Sequence, residues 1–279
     1  MIRSNIIKPG VDPSGRLGHQ FFNILPAIIL AEITNSHFNA SFLGVCTHWN
    51  NIFSFQRLKN FSEIDKKYNT VSLQKFDPFD IKKLKTLLDN FIFLPPQKIY
   101  ELQLNQDPGK LLALVPSFHD EIKKCLKIRI PNSQDVVVHM RRGDVTLDYA
   151  NSLYLDDKFY LKIITTLINQ GEKVTVFSQG ERIRFNFLDK LIETGKVKLE
   201  LTESLIIDNR DIDTFIRFLG AKTFIGSYSC FSILAMILRD QSKRSIFLED
   251  ERSLSSHHFI EMRRMLRLIG VSFLKYDFA

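Results

Sequence analysis

A chain of 279 residues, 44% hydrophobic and 25% charged, has the make-up of an ordinary globular protein and is long enough for two Rossmann-sized domains. Its net charge of +7 fits an anionic partner, whether nucleic acid, an acidic membrane surface or a nucleotide-sugar. The lysines are scattered (Lys66-Lys67, Lys82-Lys83, Lys123-Lys124) with no aromatic-basic interleaving, which argues against nucleic acid, and the three isolated cysteines Cys46, Cys125 and Cys230 give neither a disulfide framework nor a Cys-x-x-Cys zinc site.

Residues 1–10 contain no apolar leader-like run, and the greasy stretch Phe21 to Ile33 is broken by Asn23 and Pro26 and too short to span a bilayer. With the unpaired cysteines this predicts a soluble, cytoplasmic protein. The first informative stretch is Gly15-Arg16-Leu17-Gly18-His19-Gln20, followed by a helical pattern to about Ile33. Gly15 and Gly18 permit a tight turn with close backbone approach. The helix after them would aim its unpaired N–H groups and positive dipole end at that turn, which makes an anion site.

Between Phe38 and Leu126, short apolar runs (His37–Leu43, Thr70–Phe76, Phe91–Leu94, Lys98–Leu104) alternate with amphipathic stretches such as Ile81–Leu88 and Leu111–Leu126. This predicts an α/β domain. His48, Trp49 and His119 are singletons, read as packing or surface residues.

The densest chemistry lies in Val136-Val137-Val138-His139-Met140-Arg141-Arg142-Gly143-Asp144, where β-branched residues run into four ionisable side chains. That is the pattern of a buried strand ending in a charged turn, and in open parallel sheets the carboxyl ends of strands face the ligand crevice. Two guanidinium forks there match an anionic ligand, and Asp144 can orient one of them by pairing with it. Alternation points Arg141 and Arg142 to opposite sides, so Arg141 is assigned to the crevice, while an Arg142–Asp144 structural ion pair is an equal competitor for the other two. Arg142-Gly143-Asp144 as an adhesion tripeptide is disfavoured, because it is fused to a core strand.

A helix, Lys158 to Asn169, and a strand, Lys173 to Phe177, follow, with Ser178-Gln179-Gly180 at the strand's end. A third unit pairs the strand Lys222–Ile225 with the loop Gly226-Ser227-Tyr228-Ser229-Cys230-Phe231-Ser232 and a helix from Ile233 to Leu238. Small hydroxyl residues between a strand end and a helix start suit a phosphate cradle, and equally a plain serine N-cap. The tail gives an amphipathic helix (Phe259, Met262, Met265, Leu266, Ile269) bearing Arg263, Arg264 and Arg267, then an apolar strand at Val271–Leu274. Such a helix can lie on an anionic membrane at its inner face; packing against the second domain, or back on the first, is the preferred reading.

Three of these stretches together resemble the α-1,2- and α-1,6-fucosyltransferases, most closely the family 11 glycosyltransferases. His139-Met140-Arg141-Arg142-Gly143-Asp144 is similar to their His-x-Arg-Arg-x-Asp signature. Gly15 to Gln20 resembles their Gly-x-Leu-Gly-Asn-Gln opening, with His19 in place of Asn. Ser227, Ser229, Phe231 and Ser232 match their Ser-Asn-Ser-Ser/Thr-Phe-Ser-Trp-Trp motif, with Tyr228 for Asn and Ile233-Leu234 for the tryptophans. At Ser178-Gln179-Gly180 the family often has Phe-Ser-Asp-Asp, so Ser178 alone carries over.

The resemblance implies a GT-B-like α/β fold with two facing Rossmann-type domains and mainly parallel sheets, residues 1–130 on the acceptor side and 131–279 binding the nucleotide-sugar. It implies inverting transfer of fucose from GDP-fucose to a glycan hydroxyl, a galactosyl α-1,2 linkage being expected, with no metal and no further cofactor. Arg141 and Asp144 are then the catalytic candidates. Gly15, Gly18, His19, Gln20, His139, Arg142, Ser178, Ser227 and Ser229 are the donor-binding ones. The expected partners are GDP-fucose and a glycan acceptor, with no nucleic acid. Acceptor, general base and oligomeric state stay open, and two rivals stand beside this reading: another nucleotide-sugar donor, or a non-catalytic nucleotide-binding scaffold.

Overall fold

The computed structural model describes residues 6–9, 37–39, 61–62, 69–73, 98–102, 123, 126–143, 145–148, 153–202, 209–250, 263 and 266–276. The chain divides into two compact units, Met1–Ile128 and Arg129–Ala279.

In the first unit, β1 (Ile6–Pro9), β2 (His37–Asn39), β3 (Phe61–Ser62), β4 (Asn69–Leu73) and β5 (Lys98–Leu102) form a sheet in the order β3-β2-β1-β5-β4. All its pairings are parallel, with Ile6 opposite both His37 and Ile99. β2, β4 and β5 fall within or beside expected apolar runs and are shorter than those runs, whereas β1 and β3 had no strand signal assigned to them. The expected strand at 91–94 and helix at 81–88 lie outside the described residues.

The second unit starts with β6 (Val136–His139), whose Val136, Val137 and Val138 are all buried, as suits a strand covered on both faces. Helix α1 (Asp157–Asn169) begins where Asp156 Oδ1 accepts from the Lys158 N–H at 2.7 Å. It buries Phe159, Tyr160, Ile163, Ile164 and Ile168 along one stripe. Its end is a Schellman turn: Gly171 has φ 84°, its N–H donates to Ile168, and the Glu172 N–H donates to Leu167.

β7 (Val174–Gln179) is followed by a 3-10 segment (Arg182–Leu188), the short α2 (Asp189–Glu193) and β8 (Val197–Thr202). Then come α3 (Asn209–Gly220), β9 (Thr223–Gly226), α4 (Cys230–Leu238), β10 (Arg244–Asp250) and β11 (Ser272–Tyr276). Every residue of α4 from Ser232 to Leu238 is buried, so the helix is apolar all round and lies inside the fold. Arg239, at its end, is buried too. It donates to Ser245 and to the carbonyls of Phe218, Leu219, Ala221 and Arg244, closing the carboxyl end of α3. Burial pushes its guanidinium down to about 10, so it stays charged at neutral pH.

The six strands lie in the order β11-β10-β9-β6-β7-β8, all parallel. From β6 the chain winds outward through β7 and β8, then returns to the other side of β6 to lay down β9, β10 and β11. This α/β arrangement is compatible with a Rossmann-like sheet, and its order reverses between β6 and β9. The expected Lys158–Asn169 helix, the strands from 173 and 222, the α4 helix and the 271–274 strand all occur, displaced by a few residues at their ends. Among the described residues no helix is long and apolar enough to cross a membrane.

Candidate functional site

β6 and β9 run side by side, Val138 opposite Ile225, so their carboxyl ends open at the point where strand order reverses. Ligands of open parallel sheets bind at such a point. The charged turn after β6 and the serine loop after β9, separate in sequence, are therefore brought together, and two contacts join them directly.

His139 Nδ1 lies 2.5 Å from Ser232 Oγ, and the His139 ring packs against Phe218 and Phe231 at centroid distances of 5.1 and 6.1 Å. Hydroxyl and rings together fix the imidazole's orientation. Arg141 Nη1 donates to the Tyr228 carbonyl at 3.2 Å, so the guanidinium spans from one exit to the other. Tyr228 itself is buried, edge-on to Phe247 at 5.0 Å, which makes that carbonyl a fixed partner.

Arg142 leaves the turn in the other direction. It is 4% exposed and donates to the Leu155 carbonyl at 2.7 Å, to Asp157 Oδ1 at 2.6 Å and to the Arg141 carbonyl at 2.9 Å. The Tyr154 ring lies 3.9 Å from its guanidinium carbon and the Tyr160 ring 5.3 Å. With its fork committed to these groups, Arg142 anchors the turn, and Asp157 at the start of α1 is the carboxylate it meets. Asp144, the partner anticipated from sequence, lies outside the described residues.

The remaining predicted serines occupy three different settings. Ser178 is buried within β7 and donates to the Met140 carbonyl at 2.6 Å, tying β7 to the chain leaving β6. Ser229 caps α4, its Oγ accepting from the Phe231 N–H at 3.3 Å and its carbonyl from the Ile233 N–H at 2.9 Å. Ser227 is fully buried, its hydroxyl facing the Tyr160 hydroxyl across the two exits.

Two glycines make this packing feasible. At Gly226 a Cβ would stand 2.9 Å from both Met236 Cε and Ser232 Cβ, so only glycine lets α4 sit this close to the end of β9. Gly143 has φ 83°, and a Cβ there would also meet Gln179 at 3.0 Å.

The site has a half-buried guanidinium, the N-terminal end of an apolar helix and a lining of hydroxyls, which together suit a multiply charged anion. Burial pushes the Cys230 thiol up, partly offset by the charge of Arg141. Tyr154, Asp157, Tyr160 and Ser232 were not assigned site roles from sequence, although Tyr154 and Asp157 share the i, i+3 spacing of a helix start. Among the described residues no group of three His, Cys, Asp or Glu side chains could hold a metal ion. Gly15, Gly18, His19 and Gln20 lie outside the described residues. No protein-family model matches the chain, and comparison with curated proteins gives no match.

Proposed function

We propose that the chain is an inverting, metal-independent glycosyltransferase of GT-B-like build that moves fucose from GDP-fucose to a glycan hydroxyl, with the donor bound by the second unit. The observation that carries this reading is the convergence of the His139-to-Gly143 turn and the Gly226-to-Ser232 loop on the strand-order reversal, joined by the Arg141–Tyr228 and His139–Ser232 contacts. These are two of the three stretches that resemble the family 11 enzymes.

Breaking the fucose C1–O bond leaves the electron pair on the β-phosphate while cation-like character grows on the sugar. Arg141 stabilises that phosphate charge, the task a divalent ion performs in metal-dependent transferases. His139 contacts the nucleotide, and the α4 amino end with Ser227 and Ser229 forms the floor of the phosphate site. Asp144, the other catalytic candidate, has the task of orienting an arginine.

The deciding experiment is donor hydrolysis by the purified protein without acceptor. Release of GDP from GDP-fucose, well above that from GDP-mannose or of UDP from UDP-sugars, is the expected result. Turnover of a different donor would reassign the substrate. Binding of none of them would remove the nucleotide-sugar reading altogether.

A further inference from the structure

Ser232 stands in the first turn of α4, fully buried, and its Oγ lies 2.5 Å from His139 Nδ1. His139 ends β6 and Gly226 ends β9, each one residue beyond the paired Val138 and Ile225. A Cβ at Gly226 would stand 2.9 Å from Ser232 Cβ and 3.0 Å from its Oγ, so a glycine there is what lets the hydroxyl reach the histidine of the neighbouring strand. Phe218 from α3 and Phe231 from α4 hold the ring in place. A buried hydroxyl has to place its one proton on an acceptor, and among the described residues the partner of Ser232 Oγ is Nδ1. The carbonyls three and four residues back, which a helical serine otherwise reaches, are already engaged: that of Ser229 accepts from the Ile233 N–H and that of Tyr228 from Arg141. With the Nδ1 lone pair accepting from the serine, the ring proton belongs on Nε2. A proton at Nδ1, in the other tautomer or in the imidazolium, would make the ring the donor and take that acceptor away from the hydroxyl.

We propose that Ser232 is a positioning residue that holds His139 in the Nε2–H tautomer, so that the imidazole meets the nucleotide as a hydrogen-bond donor and is not the base that takes the proton of the acceptor hydroxyl. The part that concerns the ligand rests on the nucleotide-binding reading above. Ser232 itself touches no ligand; it acts through the ring. An N–H aimed away from Ser232 suits an oxygen of the nucleotide, whereas a bare Nε2 would face that oxygen with a second lone pair.

The test begins with long-range ¹H–¹⁵N correlation spectra of the full chain at neutral pH, the His139 ring being assigned by its loss in His139→Gln. Wild type should show the protonated nitrogen at Nε2; a proton at Nδ1 overturns the proposal, whatever any variant does. Ser232→Ala should let the ring populate both tautomers and weaken GDP, measured by calorimetry, about three- to tenfold, the loss of one net hydrogen bond. In the His139→Gln background, where a side-chain amide supplies an N–H that needs no serine to orient it, Ser232→Ala should change GDP affinity little further. An equal loss in both backgrounds marks Ser232 as a packing residue only and overturns its positioning role, as does an unaltered tautomer in Ser232→Ala. The two layers fail separately. If wild type binds no GDP, the nucleotide-binding reading falls while the spectrum still decides the tautomer; if it binds GDP with the proton at Nδ1, this inference alone is lost.

Discussion

Arg142 Nη2 lies 2.6 Å from Asp157 Oδ1, and this pair fastens the turn after β6 to the first residue of α1. The arginine is almost wholly buried while the aspartate is about a third exposed, so the two ends respond differently to mutation. Arg142→Ala leaves the Leu155 and Arg141 carbonyls without their donor and opens a cavity between Tyr154 and Tyr160. About 3 kcal/mol of stability should be lost. Asp157→Asn keeps a hydrogen-bonding oxygen, and solvent screens the missing charge, so about 1 kcal/mol should suffice. Urea unfolding of the two variants checks the ordering, and a larger loss in Asp157→Asn would contradict it.

Arg141 makes the opposite forecast. It donates to the Tyr228 carbonyl, and it is assigned to charge that develops on the departing diphosphate. Arg141→Ala should lower the transfer rate about 100- to 1000-fold with little change in melting. Arg141→Lys should recover little, since an ammonium does not reproduce the planar fork. Near-normal turnover in either variant would end the assignment.

The division of labour between neighbouring arginines was half legible. Alternation along a strand exit sends residues 141 and 142 apart, which sequence alone supplies. What it could not supply is which carboxylate Arg142 meets: Asp144 is adjacent in the chain, whereas Asp157 reaches the guanidinium only because α1 packs with its amino end at the strand exit. The core strands β6 and β9 were readable because their β-branched and aromatic runs are continuous. β8 alternates Lys198 and Glu200 with Val197 and Leu199, a weaker signal carried by a strand at the sheet margin. β10 was missed because its buried run ends in Glu249 and Asp250, whose carboxylates read as surface until Arg263 is seen to meet Glu249. Tyr160 looked like one more apolar position of an amphipathic helix. Only the juxtaposition of β6 and β9 shows what lies at its hydroxyl.

Metal independence is a separate forecast of the proposed chemistry. Initial transfer rates should be unaltered by excess chelator, because the diphosphate charge is met by a guanidinium and by N–H groups that no chelator removes. Activity that disappears with chelator and returns with magnesium or manganese would require a different donor site.

Ser229 caps α4 and is proposed to line the phosphate site, and one substitution can separate the two. Its cap on α4 is present in the fold, so Ser229→Val should cost about 1 kcal/mol of stability. If the same loop also cradles the diphosphate, a branched apolar side chain replaces a hydroxyl at the phosphate floor, and GDP affinity should fall about tenfold or more. Thermal midpoint and GDP affinity measured together decide the matter. A stability loss with unaltered affinity would take the Gly226-to-Ser232 loop out of the binding site and leave it as a helix cap.

Alkaline pH tests the buried hydroxyl by its charge. Burial pushes the Tyr160 phenol above its ordinary value, and the charge of Arg142, which favours the phenolate, only partly offsets this. A phenol whose folded pKa is raised keeps its proton in the native state after the unfolded chain has begun to lose it. Its ionisation therefore costs the fold nothing below about pH 10, the unfolded value, and stability is lost as pH rises from there toward the folded one. Tyr154 and Cys230 are raised for the same first cause, burial, and act in the same direction, with Cys230 starting from the lower thiol value. Unfolding midpoints followed from pH 8 to about pH 11 should thus decline steadily in wild type, and less steeply in Tyr160→Phe, which has no proton to lose at that position. Identical slopes in the two proteins would show that the Tyr160 phenol is not held protonated by its surroundings, and would remove the desolvated hydroxyl from the account of the site.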